Sequence, residues 1–173
     1  MMKKLLAALF ILFSLTISAL AEEALFALAP TDMAPLKDAM PIPLYCGATQ
    51  GFYQHENQTI DLTQPFVYFG QYDCWVMVAQ GTSDAFGPVG WIEGGLFISP
   101  QLPELSFNER FSAMIEEDAP VTNNPLADDG AWAIRLPRGM QVIVLAQYGD
   151  WLYVQTEIDD IPARVFVPAS TID

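Results

Sequence analysis

Cys46, Cys74 and His55 are the two cysteines and the one histidine of this 173-residue chain. A thiol beside an imidazole can make a nucleophile, because the attacking species is the thiolate and it needs a base or a positive neighbour to exist at neutral pH. The same side chains are the softest metal ligands available. Zinc requires three or four such ligands in a tight shell, and these candidates do not supply one, so neither a metal site nor a cofactor is expected. A single histidine in a long polar loop reads instead as a solvent-facing residue. Two cysteines in a chain with an export leader read as a disulfide, Cys46–Cys74, with two separate buried thiols as the alternative. Closing that loop would contribute about 2–4 kcal/mol. No catalytic residues are expected, and the chain is read as a non-enzyme.

Acidic clusters stand at Glu116-Glu117-Asp118, Asp128-Asp129 and Asp159-Asp160. Calcium needs several oxygens converging from one loop, and the alternating acids around a central glycine that make an EF-hand are missing. The clusters read as solvated turns. Paired carboxylates for glycoside hydrolysis need a cleft that raises one pKa, and units as small as those described below offer little room for one.

The aromatic residues are more informative. Tyr45, Phe52, Tyr53, Tyr72, Trp75 and Trp91 fall in the first half of the chain, and Trp132, Tyr148, Trp151 and Tyr153 in the second. Apolar residues at alternate strand positions, such as Val67, Phe69, Val76, Val78, Leu152 and Val154, are core. Tyr45, Phe52, Tyr53, Tyr72, Trp132 and Tyr148 are assigned to loops and turns, with Trp75 and Trp151 on the strands beside them. These eight are the candidate ligand-binding residues. They either line a groove that stacks on sugar rings or grips a peptide, or they pack two units together.

The elements that would position them form a repeat. Val67–Val78, VYFGQYDCWVMV, returns 76 positions later as Ile143–Val154, IVLAQYGDWLYV. Each copy runs from an apolar stretch through Gln-Tyr-x-x to Trp and then alternates, the pattern of a β-hairpin. Ile42-Pro43-Leu44-Tyr45 matches Ala119-Pro120-Val121-Thr122, and Gly90-Trp91-Ile92 matches Val165-Phe166-Val167. Three landmarks in one order define two units of about 60 residues each, near the lower limit for independent folding. Short strands separated by turns rich in Gly, Pro, Asn and Asp make the class all-β. Between the units, Ser106-x-x-Glu109 could cap a short helix, or Ala113-Met114-Ile115 could be a strand entering the second unit.

Met1–Ala21 carries Lys3 and Lys4, an apolar run from Leu5 to Ile17, and Ala19-Leu20-Ala21, the pattern of a cleaved signal peptide. An uncleaved N-terminal anchor is the alternative. Cleavage would remove two of the seven basic residues and none of the 21 acids, moving the formal charge from −14 to −16. That excess argues against nucleic acid or an anionic membrane surface as partner. The expected layout is a signal peptide over 1–21, an extended lead-in over 22–35, a first domain over 36–98, a linker over 99–112 and a second domain over 113–173.

Ala113–Ile172 resembles the bacterial SH3-like (SH3b) family, and the first unit resembles it more loosely. Leu136-x-x-Gly139-x-x-Val142-x-Val144 matches the family's strand pair, Asn123-Asn124-Pro125 its loop, and Trp151 its strand aromatic. The closing Gly-Trp-Val, followed in the family by a one-turn helix, survives as Gly90-Trp91-Ile92 and is replaced by Val165-Phe166-Val167 in the second unit. The first unit departs further, with Thr63 at the glycine position and a longer loop. The resemblance implies two tandem five-stranded SH3-like barrels in a secreted or cell-envelope protein. It also implies a binding role toward cell-wall peptidoglycan or peptides. The expected function is therefore an exported non-catalytic binding module for a cell-wall glycan, a peptide or another exported protein. The alternative is a structural or accessory secreted protein whose aromatics mediate domain packing or self-association.

Overall fold

A computed structural model describes residues 25–94, 103–127 and 131–173, so the signal peptide, the start of the linker and Asp128-Asp129 lie outside the described residues. The first unit contributes β1 (Thr31–Met33), the short pair β2 (Ile42–Pro43) and β3 (Thr59–Ile60), and the long strands β4 (Phe66–Tyr72), β5 (Trp75–Thr82) and β6 (Ala85–Glu93). In the second unit, β7 (Phe111–Met114), β8 (Ala119–Pro120), β9 (Arg135–Leu136), β10 (Gln141–Tyr148), β11 (Trp151–Ile158) and β12 (Ile161–Pro168) follow the same plan. A 3-10 turn, Ala169–Thr171, follows β12. The all-β class is as expected.

Each unit has one four-stranded sheet, ordered β1-β4-β5-β6 and β7-β10-β11-β12, and one two-stranded sheet. None of the four sheets closes into a barrel. Isolated bridges join the small pairs to the large sheets, Tyr45 to Trp91 and Thr122 to Phe166, at equivalent positions of the repeat. The Gln-Tyr hairpins are also equivalent. Tyr72 pairs with Trp75 and Tyr148 with Trp151, and each hairpin has a register shift four to five residues before its turn, between Tyr68 and Gly70 and between Val144 and Ala146. Asp73 and Gly149, the first turn residues, share a left-handed φ of 53° and 55°. The segment that could have been a capped helix is an irregular stretch with a turn at Asn108-Glu109, after which Phe111 and Met114 enter the second sheet as the ends of β7.

Burial on both faces of the long strands explains how such small units hold a core. Alternation along β4 sends Phe66 and Tyr68 to one face and Val67 and Phe69 to the other. The first face packs on Leu44, Ile60 and Leu62, which closes a core internal to the first unit. The second face meets Leu145, Tyr153 and Phe166 of the other unit in a shared core with Trp75, Trp91, Phe86 and Phe107. A third cluster, with Val142, Val144, Val154 and Val165, fills the second unit. At about 25 cal/mol per Å² of apolar surface, the shared layer is a major stabilising term for both halves.

The lead-in and linker segments exchange partners. Leu28 donates its backbone N–H to Gln147 O at 2.8 Å and Gln147 donates to Phe26 O at 2.8 Å, so the first unit's lead-in pairs with the second unit's Gln-Tyr strand. Reciprocally, Leu105 donates to Gln71 O at 2.7 Å and Gln71 donates to Pro103 O at 2.9 Å. Both bridges run parallel, unlike the antiparallel sheets they extend. Leu28 and Leu105 are both buried in the shared core. Gly70 lies under Leu105, where a Cβ would come within 2.4 Å of the leucine Cγ.

The expected Cys46–Cys74 disulfide is corrected: both cysteines are free thiols, Cys46 buried and Cys74 exposed. Cys74 occupies the second turn position of the β4–β5 hairpin, where its Sγ lies 3.9 Å from Asp73 Oδ2. Cys46 points the other way, into the core of the second unit. The loop carrying Cys46 folds across the unit boundary, which sequence separation cannot reveal.

Candidate binding cleft between the units

The long loop after Cys46 is fixed at both ends. Cys46 N–H donates to Tyr53 O at 2.8 Å, Tyr53 N–H to Pro162 O at 2.8 Å, and Arg164 N–H to Cys46 O at 2.5 Å, so the loop is attached to β12. Gln58 N–H closes a turn on His55 O at 3.0 Å. Glu56 and Asn57 in that turn both have left-handed φ, 48° and 54°. This double left-handed turn suits asparagine better than glutamate, and it presents His55 toward the second unit.

His55 stacks on Trp132, with centroids 4.0 Å apart and planes 13° from parallel. Tyr53 completes the trio at 5.9 Å from Trp132. The loop of the second unit is held beside them by Asn123 Nδ2, which donates to Gln58 Oε1 at 2.6 Å, and by Val89 N–H, which donates to Asn123 O at 2.7 Å. Between the two loops lies an open cleft of about 540 Å³, lined by Tyr53, His55, Gln58, Asn123, Asn124 and Trp132 among others. Aromatic faces beside neutral amides, with Glu56 also on the lining, suit a polar ligand that carries no negative charge there.

Burial shifts His55 and Cys46 toward their neutral forms. Burial lowers the His55 pKa below its usual value and nearby Glu56, with an oxygen 3.9 Å from Nε2, opposes that only in part. Its Nδ1 is buried with no hydrogen-bond partner. Burial pushes the Cys46 thiol up to about 12, against a weaker opposing hydrogen bond from the His55 backbone. At neutral pH Cys46 is a thiol, so it cannot act as the thiolate of a Cys–His pair. Among the described residues no group of three or more His, Cys, Asp and Glu side chains could hold a metal ion.

No family model, curated protein or solved structure matches the chain.

Of the eight predicted aromatics, only Tyr53 and Trp132 meet in this cleft. Tyr45 packs edge-on to Trp75 at 5.7 Å, and Trp75 is buried in the shared core. Tyr148 packs on Phe86 at 5.5 Å, and Trp151 lies half-buried against the same core. Phe52 and Tyr72 flank the Arg164 guanidinium at 5.2 and 5.9 Å. His55 was expected to face solvent and is a stacking partner instead. Asn123 stood out only as part of the Asn123-Asn124-Pro125 loop and Gln58 not at all, because an amide in a polar loop looks the same whether or not it reaches a partner 65 residues away.

Proposed function

We propose that the chain is an exported, non-catalytic binding protein whose two SH3-like units hold a cell-wall glycan or peptide fragment in the cleft between Tyr53 and Trp132. The observation that carries this reading is the meeting of Tyr53, His55 and Trp132 with the amides of Gln58 and Asn124 around one open cleft. Sugar rings and peptide groups are bound by such combinations of flat apolar faces and neutral hydrogen-bonding groups. The SH3-like reading has support in the 3-10 turn Ala169–Thr171, which follows Val165-Phe166-Val167 where the family's closing one-turn helix stands. Purified protein should co-sediment with cell-wall sacculi, and muropeptides should shift the Trp132 indole signal. Tyr53→Ala should weaken binding about tenfold, as loss of a contributing aromatic anchor does. Absence of both co-sedimentation and an indole shift would sink the proposal.

A structural or accessory role is the second reading. It is favoured by the shared core, in which Trp75, Trp91, Phe86, Tyr153 and Phe166 pack the units on each other. Sizing and solution scattering separate the readings: self-association without glycan or peptide binding supports this one.

A further inference from the structure

Among the described residues Arg164 is a cation without a counter-ion. Its guanidinium carbon lies 5.2 Å from the Phe52 ring, 5.9 Å from Tyr72, 5.7 Å from Trp91 and 5.5 Å from Phe107. Its Nε donates to Gln155 Oε1 at 3.1 Å, while Nη1 is buried with no hydrogen-bond partner. Among the described residues no carboxylate lies within ion-pair distance of it. The chain holds 21 acids against seven lysines and arginines, so this lack of a partner is unusual. Ring faces offset part of the cost of desolvating the charge, but they give the Nη1 donor no acceptor among the described residues.

The box has one exposed wall. Phe107 and Trp91 are buried and Phe52 half-buried, whereas Tyr72 at the hairpin turn is 42% exposed. Tyr72 and Phe107 are also walls of a cleft of about 390 Å³ that includes Ser106, Asn108, Arg110 and Glu104. Phe107 adopts a left-handed φ of 47°, a conformation that a bulky residue rarely holds. A second cation, Arg110, lines this cleft, and Arg164 lies against the Tyr72 ring that walls it. Arg110 is near enough to lower the Arg164 pKa, after the larger effect of burial.

The geometry points to this cleft as a binding site for a ligand that presents a single carboxylate, contacted first by Arg110 and then, as the Tyr72 ring swings aside, by Arg164. A planar fork of N–H donors matches a carboxylate. The Glu104 carboxylate on the same wall disfavours a doubly charged phosphate. Ser106 and Asn108 supply neutral hydrogen-bonding groups for the rest of the ligand. The site is separate from the Tyr53–Trp132 cleft and does not depend on a ligand binding there.

The test is NMR titration of the full chain with N-acetylglycine, N-acetylglycinamide and inorganic phosphate. N-acetylglycine should shift the Arg164 Nε–H and the Tyr72 ring signals, the amide should shift neither, and phosphate should bind more weakly. Arg110→Gln, on the surface, should weaken N-acetylglycine about tenfold without changing the fold, as loss of one charge-assisted contact does. Arg164→Lys, which keeps the charge and removes the fork, should weaken it as well. Equal shifts from acid and amide, no shift from the acid up to its solubility limit, tighter binding of phosphate, or unchanged affinity in Arg110→Gln would each overturn the proposal.

Discussion

The imidazole of His55 lies flat on the indole of Trp132, 4.0 Å away and 13° from parallel, joining a loop of the first unit to a loop of the second. Because burial holds the His55 pKa below its ordinary 6.5, the unfolded chain takes up this proton first as pH falls. The stabilisation from the neutral stack is complete above about 6.5 and is lost as pH falls from there to the lower folded value. The urea midpoint should drop across this window, and His55→Gln should flatten the dependence. An unchanged slope in the variant would remove His55 as the cause.

The two thiols should behave differently. Cys74 is exposed and should alkylate in the native protein, whereas Cys46 is buried with its thiol pushed up to about 12 and should react only after unfolding. Intact mass should be the same with and without reductant. A native protein that resists labelling at both positions would contradict the free-thiol arrangement.

Trp91 Nε1 donates to Tyr153 OH at 2.8 Å, a hydrogen bond between the units in a fully buried place. Trp91→Phe should destabilise by about 1–3 kcal/mol, since the hydroxyl loses a partner where water cannot replace it. In Trp91→Phe with Tyr153→Phe the cost should be less than the sum of the single changes, which a double-mutant cycle in urea would measure.

Leu105 is wholly buried against Gly70 and Leu28 is nearly so. Leu105→Ala should cost about 2–5 kcal/mol and leave one cooperative transition rather than two, because the core it enters belongs to both units. Separate melting of the halves in calorimetry would show that the shared layer does not couple them.

Much of this was legible in residue order. The Gln-Tyr-x-x-Trp repeat marked both hairpins, and the strands Trp75–Thr82 and Trp151–Ile158 begin at the tryptophans it singled out. The strand pair Leu136-x-x-Gly139-x-x-Val142-x-Val144 falls on the end of β9 and the start of β10, which part at residues 137–140. What stayed hidden depends on contacts across the unit boundary. Alternation along β4 separates its two faces but cannot say that the second is covered by Tyr153 and Phe166. The exchanged segments, Phe26-Ala27-Leu28 and Pro103-Glu104-Leu105, share only a leucine, and a bridge one residue long leaves no periodic trace. Arg164 was invisible for a similar reason: four rings from four distant positions make its box.

The reciprocal bridges at Gln71 and Gln147 make each repeat depend on the other. A single copy of the repeat, cut free, would carry a leucine-bearing arm with nowhere of its own to lie and a bare strand edge awaiting one. Two such molecules would satisfy each other arm for edge. Each repeat is thus completed by the other, and one copy expressed alone should be found in pairs.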